Sequence, residues 1–261
     1  MENRPYAIVT GASSGIGWEL AKCCVMNGFD VLVAADEPRI ASAAQELSVS
    51  GTQVEPLEVD LAHSDGIERL YAATKGRPVD ALLANAGRGL GHGFLDQDFK
   101  DILKVITTNV VGTLDLVHRV GRDMRARGQG RILITGSIAG VMPGTYQAVY
   151  NGTKAMLDSF SYALGAELKD SGVTVTCLMP GETETDFFER ADLTDTKLGS
   201  KKKMPADQVA KMGFEAMMKG EPEVITGWAN KLKAAISHIM PNTVLAKQHA
   251  KMAGPGTAEK K

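Results

Sequence analysis

A chain of 261 residues with 44% apolar content has the size and composition of one large α/β domain. Its 29 Lys and Arg against 31 Asp and Glu give a net charge of −2, which leaves no global field to gather nucleic acid or an acidic membrane. Three cysteines, with Cys23 and Cys24 adjacent, exclude a disulfide framework, offer no metal-ligand spacing and point to a reducing, cytoplasmic setting.

The opening residues lead at once into an apolar strand, Tyr6 to Thr10, so no signal peptide is expected. A Gly-rich turn, Gly11 to Gly17, then opens a helix with Ile16, Leu20, Cys24 and Met26 on its inner face, closed by Gly28. Val31–Ala35 reads as a second buried strand, Ile40–Leu47 as a helix, Thr52–Val59 as a third strand and Ile67–Thr74 as a helix. Asp80–Ala84 is the fourth strand. A long helix is expected from Asp98 to Arg127, its inner face carrying Ile102, Val105, Ile106, Val110, Leu114 and Val117, with Gly128 and Gly130 ending it. Arg131–Thr135 is strand five, Ala148–Asp170 a second long helix stopped by Gly172, and Val173–Met179 strand six. Pro205–Met218 is helical and Glu223–Thr226 a short last strand.

Apolar strands alternating with helical patterns predict βαβ units, and so a single doubly wound, Rossmann-type parallel sheet of about seven strands with helices on both faces. One catalytic domain is expected over 1–253. It includes a substrate lid near 182–204 and a helical extension near 228–252, and a disordered tail is expected at 254–261. No apolar run approaches the roughly 18 residues of a membrane span.

The first turn reads Thr10-Gly11-Ala12-Ser13-Ser14-Gly15-Ile16-Gly17, between a strand and a helix. In that context Gly11 permits the tight turn, Gly15 lets backbone approach a pyrophosphate and Gly17 allows close helix–strand packing. The helix start supplies free N–H groups and partial positive charge to the phosphates. This motif resembles the cofactor turn of the classical short-chain dehydrogenase/reductase (SDR) family, and the resemblance continues in order from about residue 5 to 187. It implies an adenine contact at Asp60 and Leu61, and cofactor-lining roles for Asn85-Ala86-Gly87, Pro180-Gly181, Thr183 and Thr185. It further implies catalytic Asn109, Ser137, Tyr150 and Lys154, with Tyr150 and Lys154 also touching the cofactor.

Tyr150 and Lys154 are four apart in a helix and share one face. A free Tyr titrates near about 10, and a neighbouring ammonium is expected to lower it toward a useful acid/base. Ser137 can donate to the oxygen on which charge develops. The resemblance gives Asn109 a remoter role, its helix backbone holding a water against Lys154. The implied reaction is hydride exchange between a nicotinamide and a small-molecule alcohol or carbonyl. Two alternatives stay open: a cofactor-binding regulatory protein without turnover, and an epimerase or dehydratase on the same scaffold.

Strand two ends in Asp36-Glu37-Pro38-Arg39. Asp36 can bond an adenosine ribose and repel a 2′-phosphate, favouring NAD over NADP, while Arg39 could reach a phosphate. Pocket walls are expected from Gly89–Phe94 with His92, and from Met142, Pro143, Gly144 and Tyr146. In the extension, Leu232, Ala235, Ile236 and Ile239 alternate with Lys231 and Lys233 as an amphipathic helix whose apolar side is expected on protein rather than on a membrane. A homodimer or homotetramer is expected by analogy alone.

Overall fold

A computed structural model describes residues 4–48, 51–237 and 239–258. Strands β1 (Tyr6–Thr10), β2 (Asp30–Ala35), β3 (Val54–Glu58), β4 (Ala81–Ala84), β5 (Gly130–Thr135) and β6 (Val173–Met179) alternate with helices. These are α1 (Gly15–Met26), α2 (Arg39–Leu47), α3 (Ser64–Ala73), α4 (Phe99–Ile106), α5 (Thr113–Arg127) and α6 (Ala148–Glu167). Then come a two-residue parallel ribbon, β7 (Thr183–Glu184) with β8 (Met204–Pro205), and the short helices α7 (Phe187–Arg190) and α8 (Lys197–Ser200) between its strands. Helix α9 (Ala206–Lys219), strand β9 (Glu223–Ile225) and helices α10 (Trp228–Ser237) and α11 (Asn242–Ala253) complete the order.

Seven strands form one parallel sheet in the order β3-β2-β1-β4-β5-β6-β9. Successive side chains of a strand point to opposite faces, and both faces here must be covered. Val9, Val33, Leu83 and Leu133 therefore pack under α1, α2 and α9 through Leu20, Ile40 and Phe214. Ile8, Leu32, Leu82 and Ile132 pack under α3, α5 and α6 through Leu70, Val117 and Leu157. Pro56, which cannot donate to a ladder, sits in edge strand β3.

The helix expected over 98–127 is interrupted. Residues Thr107–Gly112 form a π-helical segment between α4 and α5. Each wider turn holds an extra residue and rotates the helix beyond it. Ile102 and Val105 point inward as expected, but past the π segment Leu116, Val117, Val120 and Met124 take the inner face and Leu114 does not. In α1, Met26 is likewise turned out to solvent, because the helix ends there and the chain reverses at Gly28. The extension is two helices, α10 and α11. Residues 254–258, expected to be disordered, pack on the 195 loop: the Gly256 amide donates to the Asp195 carboxylate at 2.8 Å and the Ala258 amide to its carbonyl at 2.9 Å. Residues 259–261 lie outside the described residues. No described helix is long and apolar enough to cross a membrane.

Candidate active site and cofactor cleft

The strand order reverses between β1 and β4, which splays the connections apart and opens a crevice at the strands' carboxyl ends. Gly11 leaves β1 with φ +65° and Gly15 enters α1 with φ +56°, a backbone that L side chains rarely adopt. A Cβ at Gly17 would stand 2.0 Å from the Gly11 carbonyl oxygen, and one at Gly11 would stand 2.9 Å from the Ala86 Cα. The turn is thus pressed against the end of β4. Thr10 Oγ1 accepts from the amides of Asn85 and Ala86, both at 3.0 Å. The Asn85 side chain donates to the Thr10 carbonyl at 3.1 Å and accepts from Thr135 Oγ1 at 3.1 Å, lashing β1, β4 and β5 together.

A cleft of about 290 Å³ runs along this edge. At one end Asp36, Asp60 and Leu61 line it; Gly11, Ser13, Ser14, Gly15, Ile16 and Gly17 form its floor, with Asn85, Ala86 and Gly87 alongside. At the other end lie Ser137, Tyr150, Lys154, Pro180, Gly181, Thr183 and Thr185. Asn109 is buried behind them: its carboxamide accepts from the Arg88 amide at 2.7 Å and donates to the Arg88 carbonyl and to Thr153 Oγ1. Its side chain therefore clamps the chain after Gly87 onto α6. Lys154 donates from Nζ to the Thr135 carbonyl at 2.7 Å.

The electrostatics correct one expectation. Burial pushes the Tyr150 hydroxyl up to about 12, although its bond with Ser137 acts in the opposite direction. The same burial brings Lys154 down to about 8, with Asp158 opposing the fall. Desolvation disfavours both charged forms and outweighs the attraction of a partner whose Nζ stands 5.9 Å from the Tyr150 ring centroid.

Several lining residues do not stand out in the sequence. Arg88 ion-pairs Asp36, and Glu37 accepts from the Ser13 hydroxyl and pairs with Arg190 of α7 at 3.1 Å. Arg39, expected near a phosphate, instead faces Asp186 at 3.6 Å. At the opposite end Glu182 stands 3.5 Å from both Lys201 and Lys233. Burial would raise its carboxyl, but its own backbone amide and the two ammonium groups hold it below the usual range. His249 and Met252 of α11 also reach the cleft. Asp158, one turn beyond Lys154, is buried: it accepts from the Ser137 amide at 3.2 Å and sits where any Cβ at Gly136 or Gly140 would fall. The signal that could have found it is the repeated i, i+4 spacing of Tyr150, Lys154 and Asp158, preceded by those two glycines after the end of β5.

Phe187 stacks on Tyr150 with centroids 5.1 Å apart, and Thr185 lies over Gly15, so the 182–204 segment covers the cleft. Of the other expected walls, Gly89 and Met142 line it. Pro143, Gly144 and Tyr146 do not; Gly144 abuts Asn151 and Tyr146 turns toward Gly254. His92 is held outside by Asp192 at 2.7 Å.

The glycine cradle, which side chains would fill, and the free helix start fit a dinucleotide's phosphates. The family model for short chain dehydrogenase matches residues 5–195. The chain belongs to the short-chain dehydrogenase/reductase family. It is an NAD(P)-dependent oxidoreductase acting on CH–OH groups. This SDR enzyme is 32% identical over 246 residues to the very-long-chain 3-oxoacyl-CoA reductase of Neurospora crassa, covering 92% of this chain and 73% of that one. Among solved structures it resembles a short-chain dehydrogenase from Sphingobium yanoikuyae in complex with NADPH (TM-score 0.80, 28% identity, 90% and 94% of the two chains). In fold it also resembles an SDR from Burkholderia phymatum in complex with NAD (TM-score 0.82, 23% identity, 90% and 93%).

Proposed function

We propose that the enzyme interconverts a secondary alcohol and a ketone or aldehyde, with Tyr150 as acid/base. The observation that carries this reading is the convergence of Ser137, Tyr150 and Lys154 in one cleft with the glycine turn. When bound, the nicotinamide supplies or accepts the hydride. Ser137 holds the substrate oxygen and Tyr150 transfers the proton at its hydroxyl. Lys154 anchors the site through the Thr135 carbonyl. Burial keeps the Tyr150 phenol protonated at neutral pH, the form that donates to a carbonyl oxygen. Phe187, Phe188, Leu198 and Met252 supply apolar walls for the substrate, and the 182–204 segment acts as its lid.

Asp36 in the cleft favours NAD, but its pairing with Arg88, and that of Glu37 with Arg190, offset the repulsion of a 2′-phosphate. The NAD preference is therefore small. Exposed Phe94, Leu95, Phe99 and Leu103 support self-association along α4, as a homodimer or homotetramer.

Replacing Tyr150 with Phe tests the central reading. Reduction of a panel of ketones, monitored by NADH or NADPH oxidation, should fall by roughly 10²- to 10⁴-fold while cofactor binding survives. Undiminished turnover would remove Tyr150 from the chemistry. Cofactor binding with no turnover of any carbonyl by the parent chain would favour the regulatory alternative.

A further inference from the structure

Helix α10 faces the opposite way to its amphipathic pattern. Its inward side carries Ala234 and Ser237, with Asn230 against Gly181 and Lys233 reaching Glu182. Trp228, Leu232 and Ile236 are left 78%, 47% and 41% exposed, and Ile239 in the next turn 84%. At spacings of four residues Trp228, Leu232 and Ile236 form a single stripe along the outer face of α10, and Ile239 lies exposed just beyond the helix end. Scattered exposed apolar residues are ordinary; a continuous stripe headed by a Trp is a binding surface.

Charge says what it binds. From Val224 to Ala258 the sequence has no Asp or Glu and has four lysines, Lys231, Lys233, Lys247 and Lys251. The segment thus carries +4, and the −2 of the whole chain leaves −6 on the rest. Lys231, Lys247 and Lys251 are exposed. The overall balance, which suggested no attraction to an acidic membrane, conceals this separation. A second copy is the poorer occupant, because a two-fold contact would set the same lysines against each other.

We propose that the outer face of α10 is a docking surface for an anionic bilayer. Trp228 sits at headgroup depth, Leu232 and Ile236 enter the acyl boundary, and Lys231 meets the lipid phosphates, while exposed Lys247 and Lys251 of α11 add to the long-range attraction and Lys233 stays on Glu182. The inner side of the same helix backs the Glu182 end of the cleft, so a docked molecule holds that end of its cleft near the membrane surface.

The test is sedimentation of the full chain with vesicles of phosphatidylcholine alone and of phosphatidylcholine mixed with phosphatidylglycerol. Binding is expected to the mixed vesicles, to weaken with salt, and to shift Trp emission to the blue. The chain has only Trp18 and Trp228, and Trp18 already packs against the core. A Leu232→Ser, Ile236→Ser double variant should lose roughly tenfold or more in vesicle partitioning while binding NADPH normally, which shows it folded. Equal sedimentation with the two vesicle types, or no sedimentation, would overturn the proposal. So would a double variant that partitions like the parent, or one that instead dissociates an oligomer seen by light scattering.

Discussion

The two ends of the cleft are both closed by ion pairs, yet they are built differently. At the β2 end, Asp36 and Glu37 meet Arg88 and Arg190, with Arg39 and Asp186 beside them, so charge is nearly balanced. These side chains are 29% to 60% exposed, where such pairs contribute about 0–1 kcal/mol each and exchange partners readily. At the β6 end a single Glu182, its side chain only 15% exposed, holds both Lys201 and Lys233. One positive charge is left over, and the pairing joins the 182–204 segment to α10. The first arrangement can open to admit a ligand; the second fastens the extension to the body of the fold.

The most disruptive way to break this contrast is to destroy the β2 end outright. Gly17→Ala places a Cβ 2.0 Å from the Gly11 carbonyl, and should cost roughly 1–3 kcal/mol and abolish NADH and NADPH binding. Gly152→Ala, exposed within α6 and with nothing within 4 Å, is the control and should melt no lower than the parent, gaining roughly 0.5–1 kcal/mol from helix propensity.

Asp158, between the two ends, tests whether burial governs the site. Burial lifts its carboxyl to about 6 from 3.8, while the Ser137 amide and Lys154 oppose the rise. The folded state thus binds this proton more tightly than the unfolded chain. The associated stability is complete below 3.8, declines across 3.8 to 6 and is gone above it. Asp158→Asn cannot ionise, so thermal melts from about pH 4 to about pH 7 should move in the variant's favour by roughly 1–3 kcal/mol. A constant difference across that range would mean that burial does not set this carboxyl.

Glu182→Gln separates fastening from catalysis. It leaves two ammonium groups without a carboxylate, and should lower stability by roughly 1–2 kcal/mol. It should also lower KM for carbonyl substrates carrying an anionic group more than for neutral ones. Equal KM changes for both would show that the lysines do not face substrate. The smallest effect is expected at the balanced end: Asp36→Ala should shift the NADH-to-NADPH affinity ratio toward NADPH by less than roughly tenfold, because Arg88 already offsets the charge. A much larger shift would mean that the ion pair opens fully on binding.

Legibility in the sequence does not divide along the two ends. The cleft floor between them is written locally: Gly11, Gly15 and Gly17 are spaced by the turn they must make, and Asn85 comes directly after its strand. Ser137, Tyr150 and Lys154 can be placed because each sits beside a strand end or one helical turn from another. Arg88 and Arg190 cannot, because each meets its acid only after the sheet is assembled, across 52 and 153 residues.

The sequence by itself determined the order of elements, the parallel sheet and the residues of the cleft floor, since hydrophobic period and glycine spacing act within a few residues. Only the tertiary structure decided the π turn that rotates α5, the pKa directions of Tyr150 and Lys154, and the outward turn of α10. Each of these depends on desolvation or packing by segments remote in the chain, and no local pattern carries that information.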